Sequence, residues 1–166
     1  MRGRLERLAF DIAVESFDGQ VVDEPIEGYQ MLTRRRLVEP LPGVRAARAL
    51  ANNARTLLVE HARAARASGC SWDEVGEALG LSDGATDEPR AEAAFAEIVS
   101  GRRSEDYWPS FRAPSTYWRC GSCEELVTDY GPTDSSHPED QESGHAATCA
   151  RHEAALAAWR ERTGWE

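Results

Sequence analysis

A chain of 166 residues, 41% hydrophobic and 29% charged, can bury one good core, or one core with a small satellite unit. No apolar run approaches the roughly 18 residues that a helix needs to cross a bilayer. The 29 acids outnumber the 19 basic residues, all of them arginine, which argues against a protein that grips nucleic acid through phosphates over its whole surface.

The opening "MRGRLERLAFDIAVESFDG" mixes Glu and Asp among its apolar residues, so it does not read as a signal peptide, and a cytoplasmic location is expected. Leu5, Leu8 and Ile12 recur at helical spacing, with Phe10, Val14 and Phe17 on an adjoining stripe, and Asp18-Gly19 ends the run. A short helix is expected, with a strand as the weaker option. "QVVDEPIEGYQ" then reads as connector. "MLTRRRLVEPLPG" carries Arg34, Arg35 and Arg36, which read as a solvated helix end or, more sharply, as a phosphate-facing patch. Residues 1–42 form the first segment in this reading.

From Val44 to Ala67, "VRAARALANNARTLLVEHARAARA" has neither Gly nor Pro and repeats Leu50, Leu57, Leu58 and Ala62 on one side. That pattern predicts a long amphipathic helix stopping at Ser68-Gly69. His61, alone within it, reads as a surface or cap residue. Next, Ser71 with Glu74 forms a capping box. Trp72, Val75, Ala78 and Leu79 make an apolar face, and Gly80 turns the chain. A long helix, a short capped helix, a Gly turn and a further helix predict a helix-turn-helix domain over 43–101. "GCSWDEVGEALG" resembles the helix-turn-helix of many small regulatory and sigma-factor-like proteins from GC-rich bacteria.

The resemblance fails where base contacts belong. A recognition helix there is rich in Arg, Gln and small polar residues, whereas this chain has "SDGATDEPRAEAAFAEIV", with Asp83, Asp87 and Glu88 beside the turn. Pro89 prevents a helix running on from Ser82. The third helix is therefore expected to start near Pro89 and to pack Ala93, Ala94, Phe95 and Ile98 inward. Charge follows the same division. Met1 to Ser68 has 11 Arg against 9 acids, Gly69 to Ser100 has 1 against 8, and Gly101 to Glu166 has 7 against 12. Residues 102–117 read as a linker whose Tyr107, Trp108, Phe111 and Tyr117, interleaved with Arg102, Arg103 and Arg112, strap the C-terminal unit on or stack on bases.

"YWRCGSCEELVTDYGP" and "GHAATCARH" carry the chemistry. A C-x-x-C behind a Trp serves a thioredoxin-type dithiol or a metal clip. Nothing upstream supplies the strand-helix-strand pattern of the former, and "EELVTDYG" reads as a strand entering a Gly131-Pro132 turn. The spacing C-x2-C-x21-H-x3-C instead offers Cys120, Cys123, His145 and Cys149 to one tetrahedral Zn2+, with His145 and Cys149 expected one turn apart on a helix. His137 and His152 are rivals for the histidine position, and Cys70 is expected to be buried. The module over 118–166 has a thin apolar core that bound metal would stabilise.

The expected fold is mainly α: a helix-turn-helix domain followed by a small zinc-bound α+β unit of hairpin plus helix, treble-clef-like. The C-terminal half resembles helix-turn-helix proteins of GC-rich, actinobacterial-type bacteria that carry a short Cys/His cluster. The leading expectation is a small cytosolic DNA-associated regulator. Its contacts would come from Arg34, Arg35, Arg36, Arg45 and Arg48, with Arg102 and Arg103 beside them and Ser82, Thr86 and Arg90 nearest the groove. The alternative is an acidic protein-interaction module on a degenerate helix-turn-helix, docking on a basic protein partner. A homodimer fits either reading, and neither includes a membrane. No nucleophile-base pair, phosphate loop or paired carboxylate stands out, so no enzymatic activity is expected.

Overall fold

The computed structural model describes residues 1–29, 31–82, 89–100, 114–132 and 137–165. It is mainly helical, with two small antiparallel sheets. The chain divides into two compact units, Met1–Leu57 and Leu58–Glu166. No helix among the described residues is long and apolar enough to cross a membrane.

In the first unit, α1 (Arg2–Ser16) is followed by strands β1 (Val21–Pro25) and β2 (Thr33–Leu37), which pair antiparallel with Asp23 opposite Arg35. The helix expected over the first residues is present. The Arg34–Arg36 triplet is not a helix end, because it forms β2. There the pleat alternates the side chains, so Arg34 and Arg36 share one face and reach Glu24 at 2.8 and 3.5 Å, while Arg35 lies 5.2 Å over the Phe10 ring. The next element, α2 (Leu41–Ser68), begins in the first unit and ends in the second. It starts three residues earlier than the Ala-rich run suggests, since Pro42 suits a first helical turn.

In the second unit, α3 (Trp72–Ala78) carries the full capping box. The Ser71 hydroxyl accepts from the Glu74 amide at 3.1 Å, and the Glu74 carboxylate accepts from the Ser71 amide at 2.7 Å. The apolar face of α3 is shifted from the expected one. Trp72 and Val75 are buried, but Ala78 is exposed and Gly76 takes the inward place. A Cβ on Gly76 would sit 2.6 Å from Arg90 Cγ, so glycine allows the close approach of α4 (Arg90–Ser100). The core joins Ala62, Trp72, Val75, Ala94, Phe95 and Ile98, with Trp72 and Phe95 edge-to-face at 5.1 Å. As expected, α4 begins just after Pro89. Residues 83–88, including Asp83, Thr86, Asp87 and Glu88, lie outside the described residues. So do residue 101 and 102–113 of the expected aromatic linker, with Arg102, Arg103, Tyr107, Trp108, Phe111 and Arg112.

The second sheet has the order β3-β4-β5, from β3 (Thr116–Arg119), β4 (Leu126–Asp129) and the two-residue β5 (Glu142–Ser143). One-turn α5 (Pro138–Gln141) leads into β5, and α6 (Ala150–Thr163) ends at Gly164, left-handed at φ 71°. Trp118 and Val127 point inward from paired positions of β3 and β4 and form, with Cys120 and Cys149, a second small core on which Ala67 packs.

Candidate metal centre

Cys120 and Cys123 lie in the connection between β3 and β4. The Cys120 amide donates to the Glu125 carbonyl at 2.9 Å and the Glu124 amide to the Cys120 carbonyl at 2.8 Å. Glu124 takes a left-handed φ of 60°, which closes the turn and aims both thiols to one side. The Ser122 amide lies 3.4 Å from the Cys120 sulfur, as suits a thiolate acceptor.

The second pair departs from expectation. His145 and Cys149 are not neighbours on a helix: His145 sits in the loop after β5, and Cys149 is the N-cap of α6, with φ −72° and ψ 110°. The Cys149 amide closes a turn on the Ala146 carbonyl at 3.0 Å. Gly144, at φ 96°, has no room for a Cβ, which would lie 2.6 Å from the Leu126 carbonyl oxygen. The three intervening residues thus make a loop that brings both side chains inward without a helical turn.

The four donor atoms, three sulfurs and a ring nitrogen, all lie within 4.8 Å of one another. Cys120 Sγ is 3.8 Å from Cys149 Sγ, and His145 Nδ1 is 3.4 Å from Cys149 Sγ and 3.8 Å from Cys123 Sγ. A tetrahedral ion with bonds of about 2.3 Å to sulfur and 2.0 Å to nitrogen separates its ligands by about 3.8 Å (S to S) and about 3.5 Å (S to N). The group can therefore hold a metal ion. Cys120 and Cys149 are both 1% exposed. The backbone amides of Ala146 and Glu125, then His145, bring the Cys123 thiol down to about 6. Burial pushes the Cys120 thiol up. Burial acts in the same direction on Cys149, but the His152 amide, with Cys120 and Ser122, leaves it below the ordinary thiol value.

Of the three rival histidines, only His145 joins the cluster. His152 stacks on the His145 ring with centroids 4.9 Å apart, and burial together with the adjacent His145 lowers its pKa. His137 caps α5, accepting from the Glu139 amide at 3.3 Å, and meets Trp159 edge-on at 4.4 Å. Cys70, expected buried, is half-exposed; it lines a groove of about 310 Å³ with Leu58, His61 and Ala78.

Behind the cluster lies a set of buried charges. His145 Nε2 is 2.9 Å from Glu142 Oε2, which fixes the ring so that Nδ1 faces the sulfurs. Burial disfavours the imidazolium, yet the Glu142 carboxylate outweighs it and raises the His145 pKa. Glu142 also pairs with Arg66 and, at 3.2 Å, with Arg151. Arg66, 7% exposed, donates to Asp129 at 3.0 Å, and Asp129 is fully buried. Around Asp129 the Trp72 indole donates at 3.1 Å, the Trp118 indole at 3.0 Å and the Gly131 amide at 2.9 Å. Arg66 also donates to the Cys70 carbonyl at 2.6 Å, and Arg151 to the Arg66 carbonyl. These contacts tie the end of α2 and the start of α3 to the Cys/His cluster. Sequence reasoning passed over Arg66, Asp129, Glu142 and Arg151. The available signal was the alternation in β4, where Asp129 falls on the same face as Val127.

The residues expected to contact DNA are divided between the two units. Arg34, Arg35, Arg36, Arg45 and Arg48 belong to the first unit, and Ser82 and Arg90 to the second. Arg45, Arg48 and Ser82 are exposed, whereas Arg90 donates to Asp73 at 2.9 Å. Thr86 lies outside the described residues. Comparisons of the chain with family models, curated proteins and solved structures find no match.

Proposed function

We propose that the chain is a zinc-stapled helical adaptor whose second unit docks on a basic protein surface. The observation that carries this reading is charge. Leu58–Glu166 holds 10 Arg against 21 acids, and five of those arginines are already engaged within the unit. Arg66 and Arg151 hold Asp129 and Glu142, and Arg90 holds Asp73. Arg63 bonds Thr116 and lies 4.3 Å over the Tyr117 ring, and Arg119 bonds the Glu124 carbonyl. The other five arginines are far outnumbered by the 21 acids, so the unit as a whole repels phosphates.

One Zn2+ held by Cys120, Cys123, His145 and Cys149 fits the donor set, because soft thiolates with one imidazole favour zinc over the oxygen-seeking Ca2+ and Mg2+. Four protein ligands leave no open position for substrate, which supports a structural ion and a non-enzymatic protein. In this reading α2 to α4 keep a helix-turn-helix scaffold, and the β3–β4 hairpin with α6 makes a treble-clef-like clip. Four free thiols fit a reducing cytoplasm.

A DNA-associated regulator is the second reading, favoured by the capped α3, the left-handed Gly80 (φ 76°) and the α4 that follows, an order that matches the resemblance noted in the sequence. One experiment separates the two. The zinc-loaded chain is offered an Arg/Lys-rich peptide and, separately, a pool of genomic DNA fragments, each at low and moderate salt. Salt-sensitive peptide binding with no DNA retention is expected. DNA retained at low salt and released steeply with added salt would overturn the adaptor in favour of the regulator.

A further inference from the structure

Helix α1 carries two apolar stripes, and its own unit uses one of them. Ala13 is fully buried, and Gly19 packs so closely beneath its carbonyl that a Cβ there would lie at 2.8 Å. Phe10 lies on the same side, under the Arg35 guanidinium. The second stripe is Met1, Leu5, Leu8 and Ile12, spaced four, three and four apart as in a coiled-coil seam. It stays at the surface: Met1 is fully exposed, Leu5 47% and Leu8 45%, with Ile12 half-buried.

The charges of α1 are graded along its length. Residues 1–8 carry Arg2, Arg4 and Arg7 against Glu6, and residues 9–16 carry Asp11 and Glu15 with no basic residue. The halves are thus +2 and −2. This gradient runs against the helix macrodipole, which favours acids at the N-terminus and bases at the C-terminus; α1 has no acid in its first turn and no base in its last. Apart from the Arg2–Glu6 pair at 2.8 Å, the gradient therefore does not serve the isolated helix. It suits a second helix laid antiparallel, whose acidic half meets the basic half and whose dipole opposes its own.

We infer that α1 is a self-pairing element, joining two copies of this chain through an antiparallel α1–α1 contact. Leu5 of each copy faces Leu8 of the other, and Met1 faces Ile12. Arg4 and Asp11 flank the seam on one edge, seven residues apart, so each Arg4 meets the other copy's Asp11, giving two symmetric ion pairs. A parallel pairing would set the basic ends together and the acidic ends together. Stable specific interfaces bury roughly 1,200–2,000 Å². Two such short helices bury less, so a weak, concentration-dependent dimer is expected. This inference is independent of the metal centre and of the acidic second unit.

Sedimentation of the full zinc-loaded chain over a concentration series tests it, with Arg4→Asp, Asp11→Arg and the double reversal. Each single reversal is expected to weaken the dimer by about tenfold or more, since it removes two pairs and creates two repulsions. The double reversal is expected to restore the dimer to within a few-fold of the native Kd. Arg4→Asp places an acid near the N-terminus of α1 and so favours the helix itself, which means a lost dimer is not a lost helix; circular dichroism confirms this. A monomer at every concentration would overturn the inference, as would a dimer indifferent to both reversals. Single reversals that weaken the dimer without rescue by the double would overturn the antiparallel register.

Discussion

Replacing Asp129 by alanine tests whether the buried charges hold the second unit together alongside the proposed metal. Asp129 is fully buried and accepts from four groups: the Arg66 guanidinium at 3.0 Å, the Trp72 and Trp118 indoles at 3.1 and 3.0 Å, and the Gly131 amide at 2.9 Å. Removing one partner of a buried ion pair costs about 3–5 kcal/mol, mostly because the other charge is stranded. Arg66 keeps Glu142 and the Cys70 carbonyl, which lowers that share. The two indoles and the amide lose their acceptor, and each buried donor left unsatisfied costs roughly 1–3 kcal/mol unless water enters. Taking the lower end of each range, with water reaching part of the site, gives a loss of about 4–6 kcal/mol, against a total of roughly 5–15 kcal/mol for a domain. Asp129→Asn keeps the shape but offers one carbonyl oxygen where two carboxylate oxygens served, so it is expected to lose about half as much. Urea unfolding at saturating zinc, read by tryptophan fluorescence, gives both values. A loss below about 1 kcal/mol for Asp129→Ala would refute the reasoning and show that the indoles and Arg66 find other partners cheaply.

His145→Ala is expected to abolish stoichiometric metal binding, whereas His152→Ala and His137→Ala should each retain one ion per chain by metal analysis. Metal binding should weaken as pH falls. The loaded site holds thiolates and a neutral imidazole, so protons compete with the ion. Cys123 stays ionised down to about 6, but burial raises the Cys120 thiol and Glu142 raises His145, so bound metal should hold best at alkaline pH and be lost progressively as acidity rises, as a chromogenic chelator would report. Gly131→Ala should destabilise by roughly 1–3 kcal/mol, because φ is +80° and the new Cβ would lie 2.6 Å from the Phe95 ring; a Tm lowered by less than about 2 °C would contradict this.

The parts of the molecule that local chemistry dictates were readable in the sequence. Ser71 and Glu74 specify a helix start by themselves, Pro89 sets where α4 begins, and the 3.6-residue repeat of α2 needs no tertiary partner to be seen. The members of the Cys/His cluster were legible because a metal-holding group needs thiols and imidazoles in short pairs. The conformation joining them was not. An x3 spacing suits a helical turn equally with the loop that Gly144 permits, and the Leu126 carbonyl, eighteen residues earlier in the chain, leaves space there for glycine alone. The Arg34–Arg36 strand was missed for a similar reason. Three arginines carry no period-2 apolar signal, and they are placed by pairing with β1, Arg36 opposite Val22 and Arg35 opposite Asp23.

The buried ion pairs were hidden in the sequence for a similar reason, while the cysteines were not. A cysteine pair is unusual in any chain, but Arg66 is one of 19 arginines and Asp129 and Glu142 are two of 29 acids. Their roles come from where the fold puts them. The small core beside the metal site holds only Trp118, Val127 and two of the cysteines as fully buried residues, too little apolar surface to fix two helices against a three-stranded sheet. Polar contacts of fixed geometry take over that task. Glu142 turns His145 toward the sulfurs and anchors Arg66, and Arg66 positions Asp129 against both indoles. If the cluster holds zinc as proposed, chelation would leave three clustered thiols and a histidine drawn toward protonation, so Glu142 would bond a charged ring instead of a ligand. For that reason chelation and Asp129→Ala are expected to be less than additive in a double perturbation: once the cluster is opened, much of what Asp129 holds in place is already loosened. Full additivity would mean that the metal centre and the buried charges stabilise separate parts of the unit.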